Sequence, residues 1–276
     1  MSGAIAVHHG AFGRAAVYDL DRPIVTHAHR ESHLIFHVGG AAASVRVSDE
    51  TCRLDRTRAV AVSPWNPHSF DLPGGPGEPC MCLVLYIKPM WFLEYSKSVA
   101  NALSFGRARI DMTPAITQWA TRLTSLLLDD VASERFDNFL FETTRQCFEQ
   151  SWAGQDQNRI AHGARGRYVD YRVRRALRLI QERFSEDLEI DWLAREAGLS
   201  RPHFFKLFKR QMGITPNLYL NTLRSEQAID DLMTTGKTVT DIGYDLGFSS
   251  QASFTRFFSS NVGIPPSDYR RVAHIA

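Results

Sequence analysis

Three histidines stand at odd positions near the start of the chain: His27, His29 and His33. In an extended strand, alternate side chains point to the same face, so these three would share one face. If His68 joins them, four imidazoles converge, and such a set could hold a divalent metal ion such as zinc, iron, nickel or copper. The alternative is a metal-free pocket whose histidines form hydrogen bonds to an organic effector. His37 has the same parity and could equally line the interior.

A second set of candidate residues lies in a segment that occurs twice, with a spacing of 49 to 50 residues. The first copy contains Ile190, Leu193, Ala194, Ala197, Gly198, Leu199 and Ser200, followed by Phe204, Lys206, Phe208, Gly213, Ile214, Pro216 and Tyr219. The second contains Val239, Ile242, Gly243, Leu246, Gly247, Phe248 and Ser249, followed after one extra residue by Phe254, Arg256, Phe258, Gly263, Ile264, Pro266 and Tyr269. A match at so many glycine, proline and aromatic positions is very improbable by chance. The sequence therefore predicts two copies of one structural unit.

Each copy has the pattern of a helix-turn-helix unit, and the two units are predicted over residues 190–211 and 239–261. In each, a short amphipathic helix ends at a glycine, Gly198 or Gly247, that can adopt the left-handed conformation of a tight turn. A serine then caps a second helix, whose phenylalanines form the core stripe and whose other faces are polar or basic.

Residues 216–234, between the units, predict one long helix of about 28 Å at 1.5 Å per residue. Successive major grooves on one face of B-DNA lie about 34 Å apart. A rod of nearly that length could hold the second helices of both units over two adjacent grooves of double-stranded DNA.

The repeated region resembles the DNA-binding domain of the AraC/XylS family of bacterial transcription regulators. The resemblance covers roughly residues 170–273 and includes the closing segment Gly263-Ile264-Pro265-Pro266-Ser267-Asp268-Tyr269-Arg270-Arg271. In that family, the exposed face of each second helix contacts bases. The positions implied here are Arg201, Pro202, Phe205 and Lys206 in the first unit, and Gln251, Ala252, Ser253, Thr255 and Arg256 in the second.

Several side chains at these positions suit base and phosphate recognition. Lys206 and Arg256 can pair with guanine edges or with phosphates, and Gln251 suits adenine. Phe205 departs from the polar residue usual in the family, and it could either contact a thymine methyl group or pack on the domain edge. Two serines near the end of the second unit replace basic residues of the family. We therefore expect that unit to hold phosphates more weakly and to rely more on a partner such as RNA polymerase.

Residues 1–110 contain short strand-like segments separated by glycine and proline turns, which predict a sandwich or barrel. Full-length members of the family commonly join the DNA-binding region to a cupin-type β-barrel that binds an effector. The segment 27–33, followed by Gly40, resembles the first cupin motif, with His33 in the acidic position. The segment 63–68 resembles the end of the second motif, but it lacks the glycine, and His68 comes one residue early.

Residues 111–152 change to a helical period and predict a helical hairpin that packs on the β-domain, with surplus apolar surface for a dimer contact. Residues 153–168 are polar and contain glycine, so we interpret them as a linker before the DNA-binding domain at 169–276. The predicted fold class is α+β multidomain. It comprises an N-terminal cupin-like β-barrel with a helical hairpin and a C-terminal all-α domain of two helix-turn-helix units joined by a long helix.

The composition, with 44% hydrophobic and 22% charged residues, is that of an ordinary globular protein. No apolar run approaches the length of a membrane span, the four cysteines are too few for a disulfide framework, and the first twenty residues lack a secretion signal pattern. We therefore expect a cytoplasmic protein. The net charge is only +2, but residues 165–276 hold 17 Lys and Arg against 13 Asp and Glu, which has the sign expected of a DNA-binding domain.

Together these features predict a sequence-specific DNA-binding transcription regulator, working as a homodimer and controlled by a small-molecule or metal effector in the N-terminal barrel. The family resemblance favours activation over repression, and no enzymatic activity is expected. One alternative is a metal-dependent cupin enzyme fused to a DNA-binding domain, which would need an acid or base such as Glu31 near the histidines. The other is a constitutive DNA-binding protein whose N-terminal half is purely structural.

Overall fold

The N-terminal half of the chain is built from short strands. A computed structural model describes residues 2–73, 79–96, 104–129, 134–154 and 170–275. The strands within these residues are β1 (Gly3–Gly10), β2 (Gly13–Leu20), β3 (Ile24–His27), β4 (Ser32–Gly40), β5 (Ala43–Val47), β6 (Glu50–Leu54), β7 (Arg58–Val62), β8 (His68–Asp71), β9 (Cys80–Ile87), β10 (Arg109–Asp111) and β11 (Ala273–Ile275). β2, β7 and β9 are almost entirely buried and apolar, which is the composition of strands covered on both faces.

The strands form two sheets that pack face to face. The larger sheet has the order β10-β7-β4-β9-β2-β1-β11, and the smaller one has the order β3-β8-β5-β6. Within the described residues, one isolated bridge, between Asp55 and Arg58, joins the end of β6 to the start of β7. The closed barrel predicted from the cupin resemblance is therefore wrong: the remaining edges of the two sheets do not pair, and the domain is an open sandwich.

Side chains of the larger sheet alternate between its two faces, as strand geometry requires. On one face, Leu34, Phe36 and Leu85 pack in a cluster with the helices that follow the strands. On the other face, Ile35 and Val84 pack in a second cluster with the smaller sheet. The sheet is thus the middle of three layers. Successive side chains along a strand pack alternately in the cluster with the helices and in the cluster with the smaller sheet.

A helical hairpin covers the outer face of the larger sheet, as predicted. After the short helix α1 (Pro89–Ser96), it consists of α2 (Pro114–Leu128) and α3 (Glu134–Trp152). Thr113 caps α2, because its Oγ1 accepts a hydrogen bond from the backbone N–H of Ile116 at 3.2 Å. The buried stripe of the hairpin completes the first cluster and fixes the sheet from outside.

The C-terminal part is helical, and its repeat is confirmed in three dimensions. Its helices are α4 (Tyr171–Arg183), α5 (Ile190–Glu196), α6 (Arg201–Met212), α7 (Pro216–Thr234), α8 (Val239–Asp245), α9 (Gln251–Val262) and α10 (Pro266–Val272). α7 has the 19 residues predicted for the linking helix. The predicted linker at 153–168 lies outside the described residues except for its first two positions. Among the helices of the described segments, none is long and apolar enough to cross a membrane.

The second half of the helical region does not stand apart from the β-domain. The short strand β11 pairs in parallel with β1, so the chain end joins the larger sheet. Buried residues of α7, α8, α9 and α10 belong to the same apolar cluster as both sheets. α9 ends directly against strand β3, because a Cβ on Gly263, the residue after α9, would lie 2.9 Å from Cδ1 of Ile24.

Candidate DNA interface and buried histidine cluster

The first helix-turn-helix unit consists of α5 and α6. Gly198 lies between them with φ of 67°, the left-handed conformation that the turn requires. Phe204, Leu207 and Phe208 of α6 are buried in a core shared with α4 and α5. Since this core holds one face of α6, the opposite face is left to solvent.

The exposed face of α6 carries the positions predicted to contact bases. Arg201, Pro202 and Lys206 are exposed, and Phe205 is half-buried, with the Arg201 guanidinium 5.7 Å from its ring centroid. Arg201 also forms an ion pair with Asp191 of α5 at 3.1 Å. A DNA phosphate or base would therefore compete with a carboxylate for Arg201, whereas Lys206 is free to reach outward.

Sequence reasoning missed further polar side chains on α6: His203, Lys209 and Arg210 are all exposed. His203, Lys206 and Arg210 recur at intervals of three and four residues, which places them on one side of the helix. That spacing was the signal available in the sequence. α6 thus presents a broadly cationic surface, of the kind that positions a protein on a phosphate backbone.

The second unit consists of α8 and α9 and repeats the geometry of the first. Gly247 in the turn has φ of 79°. A Cβ on Gly243 would lie 3.0 Å from Cβ of Phe254, so a glycine at this position permits the close helix crossing. Ser250 and Ser253 form a capping box, in which each side-chain oxygen accepts a hydrogen bond from the backbone N–H of the other at 3.2 Å.

α9 exposes part of its predicted set and half-buries the rest. The exposed residues are Gln251, Ala252 and Arg256, and the half-buried ones are Ser253 and Thr255. Gln251 Oε1 accepts a hydrogen bond from Thr240 Oγ1 at 2.9 Å, and the Ser253 hydroxyl is engaged in the cap. Arg256 is the single basic residue of α9. The second unit therefore offers one cation where α6 offers several.

The four predicted histidines converge in the space between the two sheets. His27 ends β3 in the smaller sheet and pairs in register with His68, the first residue of β8. His33 lies in β4 of the larger sheet, and His29 lies in the connection between β3 and β4. The prediction of one continuous extended segment is therefore wrong, because the chain crosses from one sheet to the other at residues 28–31. The crossing itself brings the rings together.

The rings are buried and in close contact. The ring centroids lie 4.2 Å apart for His27 and His68, 4.4 Å for His33 and His68, 4.9 Å for His27 and His29, and 5.2 Å for His29 and His33. Burial lowers the pKa of His27 to about 4, and burial also holds the pKa of each of the other three well below its usual range. All four are therefore neutral near pH 7, which is the state that ligates metals. His37 lies outside the cluster, with its Nε2 3.2 Å from the carbonyl oxygens of Gly40 and Ala41.

Backbone carbonyls orient two of the four rings. His27 Nδ1 lies 2.8 Å from the carbonyl oxygen of Val25, and His68 Nδ1 lies 2.9 Å from that of Asn66. Each carbonyl requires the proton on Nδ1, so Nε2 of both neutral rings is unprotonated and carries the lone pair that can bind a metal ion. In His29, Nε2 is buried without a hydrogen-bond partner, and the same holds for Nδ1 of His33.

The cavity beside the histidines is small. It has a volume of about 40 Å³, and His27, His33 and His68 line it together with Asn261 and Val262 at the end of α9. Organic ligands typically occupy cavities of about 300–1,000 Å³. The interior position predicted for an organic effector therefore has room for an ion or a water molecule and not for a metabolite.

A larger cleft lies where α7 crosses the β-domain. It has a volume of about 600 Å³ and is lined by basic and acidic side chains, Arg14, Arg30, Lys88, Glu226 and Asp230 among them, and by the apolar Ile229 and Met233. Arg30 pairs with Glu226 through both its backbone N–H and its guanidinium. Burial raises the pKa of Glu226, and the neighbouring Arg30 opposes that shift. The volume of the cleft suits a small organic ligand, and its lining residues come from both the sandwich and the linking helix α7.

Comparisons of sequence with known proteins match the C-terminal part of this chain. Residues 193–272 match a family model described as a helix-turn-helix domain. An uncharacterised HTH-type transcriptional regulator from Staphylococcus aureus (strain COL) is 37% identical over 112 residues, which are 41% of this chain and 15% of that protein. The match thus spans less than a sixth of the length of that relative. The AraC-type identification of the C-terminal domain is confirmed.

Solved structures match over nearly the whole chain. An apo form of a ToxT variant from Vibrio cholerae strain SCE256 has a TM-score of 0.60 at 13% identity, over 96% of this chain and 98% of that one. Wild-type ToxT from the same strain with a bound unsaturated fatty acid has a TM-score of 0.54 at 12% identity, over 94% of each chain. At these identities the likeness concerns the fold, and it confirms the predicted combination of a β-domain with an all-α helix-turn-helix region.

Proposed function

We propose that this chain, whose C-terminal domain is an AraC-type helix-turn-helix domain, is a ligand-controlled transcription regulator that reads DNA sequence in two adjacent major grooves. One observation carries the proposal: the two units, at opposite ends of the 19-residue helix α7, leave the same face of their second helices exposed. A helix of that length spans about 28 Å, close to the repeat of the major groove.

In this proposal the two units contribute differently to base recognition and to phosphate binding. α6, with Lys206 flanked by His203 and Arg210, makes base contacts and also holds the phosphate backbone. α9 reads bases through Gln251 and Arg256 but holds phosphates weakly. Arg201, Pro202 and Phe205 in the first unit, and Ala252, Ser253 and Thr255 in the second, complete the proposed contact surface.

The proposal is tested by selecting binding sites from random DNA with the full-length protein and then measuring affinities for the selected site. We expect Lys206→Ala and Arg256→Ala each to weaken binding by about 1–3 kcal/mol, about 5- to 150-fold, if the side chain makes a bidentate contact. Each variant should relax the preference in a different half of the site. Arg53→Ala, which removes an exposed cation of β6 on the opposite domain, is the control and should bind normally.

Two results would contradict the proposal. One is a selection that enriches no sequence. The other is an enriched site to which both the Lys206 and the Arg256 variants bind as tightly and as selectively as the wild type.

The cleft between the β-domain and α7 is our proposed effector site. Its volume suits a small organic ligand, its basic side chains suit a carboxylate, and Ile229 and Met233 suit an apolar tail. A carboxylate there would compete with Glu226 for Arg30 and would change how α7 sits on the sandwich. The fatty acid bound by ToxT supports this ligand class. A ligand regulates only if it prefers one arrangement of the two halves, so the DNA-affinity assay is repeated with an unsaturated fatty acid. Unchanged affinity would contradict fatty-acid control.

The remaining parts of the proposal concern assembly and output. The hairpin carries the half-buried ring pair Trp119 and Phe139, 5.1 Å apart, and the exposed Leu128, which support a homodimer contact. The family resemblance supports activation, RNA polymerase as a further partner and work in the cytoplasm. A metal-dependent enzyme gains no support from the described residues, because Glu31 lines the cleft and no carboxylate lines the histidine cavity.

A further inference from the structure

We infer that His27, His29, His33 and His68 bind one divalent transition-metal ion, and that the bound ion stabilises the docking of the second helix-turn-helix unit on the β-domain. The first half of this inference depends only on the cluster. The second half rests on the proposed function, because it concerns how the DNA-binding helices are held.

The donor atoms are already gathered. One ring nitrogen from each of His27, His29 and His68 lies within 4.8 Å of the others, and the ring of His33 lies 4.4 Å from that of His68. Bonds of 2.0–2.1 Å in a tetrahedral site place the donors about 3.4 Å apart, so the rings of His27, His29 and His68 each have to move inward by less than about 1 Å. His33 stands outside that group of donors and joins it by turning its ring, which already packs on His68. Four neutral imidazoles suit zinc, nickel, cobalt or copper better than magnesium or calcium, which prefer oxygen ligands.

The hydrogen bonds around the rings are those of a prepared site. In metalloproteins, a ligating histidine commonly donates its other ring N–H to a carbonyl, which fixes the tautomer and aims the lone pair at the ion. Val25 and Asn66 supply such carbonyls to His27 and His68. A buried ring nitrogen without a partner is costly, and both His29 and His33 contain one. An ion between the rings would satisfy these nitrogens.

The competing occupant is water. A cavity of about 40 Å³ is large enough for a single water molecule, and a water molecule needs two to four polar partners. A water molecule in this cavity could form a hydrogen bond with His33, which lines it, and would not require the rings to close up. Metal binding therefore has to be demonstrated by stoichiometry and ligand spectroscopy.

Two paths connect the cluster to the second unit. His27 is the last residue of β3, the strand against which α9 ends, and Asn261 and Val262 of α9 line the same cavity. On the other side, the ring of Tyr86 packs 5.2 Å from the rings of both His29 and His33, and the Arg14 guanidinium lies 3.7 Å from its centroid.

Arg14 continues the second path to α10, because its Nη1 lies 3.4 Å from the hydroxyl of Tyr269. An ion that closes the rings fixes β3 and Tyr86 together. β3 supports the end of α9, and Tyr86 is linked to α10 through Arg14 and Tyr269. Metal binding and docking of the second unit therefore stabilise each other.

The test uses full-length protein without a histidine tag, stripped with a chelator and titrated with Zn²⁺ and, separately, with Co²⁺. We expect one equivalent of metal per chain, a rise in Tm of about 5 °C at saturating Zn²⁺, and a tetrahedral nitrogen-ligand spectrum with Co²⁺. His29→Ala should lose the equivalent. His37→Ala is the matched control, because it removes a half-buried histidine of β4 outside the cluster, and it should bind metal normally.

The coupling is measured by hydrogen exchange with and without Zn²⁺. We expect slower exchange in α9, α10 and β3 and no change in α6. Folded wild-type protein that takes up no stoichiometric metal while still selecting a DNA sequence would overturn the inference and leave the proposed function intact. Stoichiometric metal with unchanged exchange in α9 and α10 would overturn the coupling. If His29→Ala does not fold, the Co²⁺ spectrum of the wild type decides, and an octahedral or oxygen-ligated spectrum would overturn the site.

Discussion

The two helix-turn-helix units share one sequence pattern and nearly one backbone, but they rest on different cores. The first unit has a core of its own with α4 and α7, centred on Phe204 and Phe208. The equivalent residues of the second unit, Phe254 and Phe258, belong to the apolar cluster that fills the β-sandwich. The second helix of one unit is therefore held within the helical region, and the second helix of the other unit is held together with the β-domain.

The lengths of the flanking helices account for this difference. In the repeat, α7 follows the first unit as α10 follows the second, and Pro216 and Tyr219 correspond to Pro266 and Tyr269. α7 continues for 19 residues and covers its unit, whereas α10 ends after seven, and the chain turns into β11 on the edge of the larger sheet. Strands β1, β2 and β3 provide the cover that a longer helix would have supplied.

This difference suggests that DNA contacts of the first unit do not depend on an effector, whereas DNA contacts of the second unit are regulated by it. A ligand or ion that changes the β-domain acts directly on the surface that supports α9. It reaches the first unit through α7 and through Trp65, whose ring packs on the edge of that unit's core. α6 also carries more cations than α9. Affinity would then come mainly from the first unit, and control would act mainly on the second.

The largest expected effect on stability comes from removing one buried aromatic ring from the core of each unit, at equivalent positions of the repeat. Phe208→Ala and Phe258→Ala each remove a wholly buried ring and should each cost about 3–5 kcal/mol of unfolding free energy. Hydrogen exchange should separate them. Phe258→Ala should speed exchange in β1 and β3 as well as in α9, because the cavity opens in the shared cluster, whereas Phe208→Ala should speed exchange only in α4 to α7.

The comparison fails if β1 and β3 respond equally to the two substitutions, since both units would then be coupled to the sandwich. It also fails if neither substitution changes exchange in the strands. Wild-type protein at the same denaturant concentration provides the baseline for both variants.

The helix-turn-helix repeat could be predicted closely from the sequence because its signals are local. The apolar period, the glycine at each turn and the serine caps all lie within a few residues of the structure they specify. α7 begins and ends at the predicted residues, and α5 and α8 end two residues before the glycines predicted to terminate them. The pairing of β11 with β1 had no such signal, because it joins residues about 265 positions apart along the chain.

The histidine cluster could be predicted in its members but not in its geometry. Parity within one strand suggested that His27, His29 and His33 would share a face, whereas they meet because the chain changes sheets at residues 28–31. His68 points inward despite its early position in the motif, since it pairs in register with His27. Sequence alone did not show that α9 closes the cavity, because Asn261 and Val262 resemble ordinary helix residues.

Acid should weaken the anchorage of the second unit more than that of the first. His9 in β1 lies 2.9 Å from the Tyr269 hydroxyl, and burial, with a contribution from Arg14, lowers the pKa of His9 from 6.5 to about 3. Above pH 6.5 the residue is neutral in both the folded and the unfolded chain, so it costs nothing. Below pH 6.5 the unfolded chain takes up the proton, and stability falls until about pH 3.

The measurement is the free energy of unfolding at pH 6.5 and pH 5.0, for wild-type protein and for His9→Gln. We expect wild-type protein to lose about 1–2 kcal/mol more than the variant over this interval. The equivalent contact in the first unit, between Gln181 and Tyr219, contains no histidine, so the pH-dependent part of hydrogen exchange should appear in α10 and β1 and not in α4. Equal losses for wild type and variant would contradict a role of His9 in the acid response.

The smallest expected effect comes from removing one hydroxyl from each of the two equivalent tyrosines. The Tyr219 hydroxyl accepts a hydrogen bond from Gln181 of α4 at 2.9 Å, whereas the Tyr269 hydroxyl contacts His9 and Arg14 of the β-domain. Tyr219→Phe and Tyr269→Phe should each cost about 1 kcal/mol, because each leaves a polar partner without its hydrogen bond.

The location of the loss distinguishes the two variants more sharply than its size. Tyr269→Phe should speed hydrogen exchange across β1, β2 and β11, since it frees the α10 end from the sheet, and Tyr219→Phe should speed exchange only in α4 and the start of α7. A further substitution, His9→Gln in the Tyr269→Phe background, should add little, because both changes remove the same contact. Additive losses in that cycle would mean that His9 and Tyr269 act independently, and the second unit would then be held to the sandwich without a contribution from the contact between these two side chains.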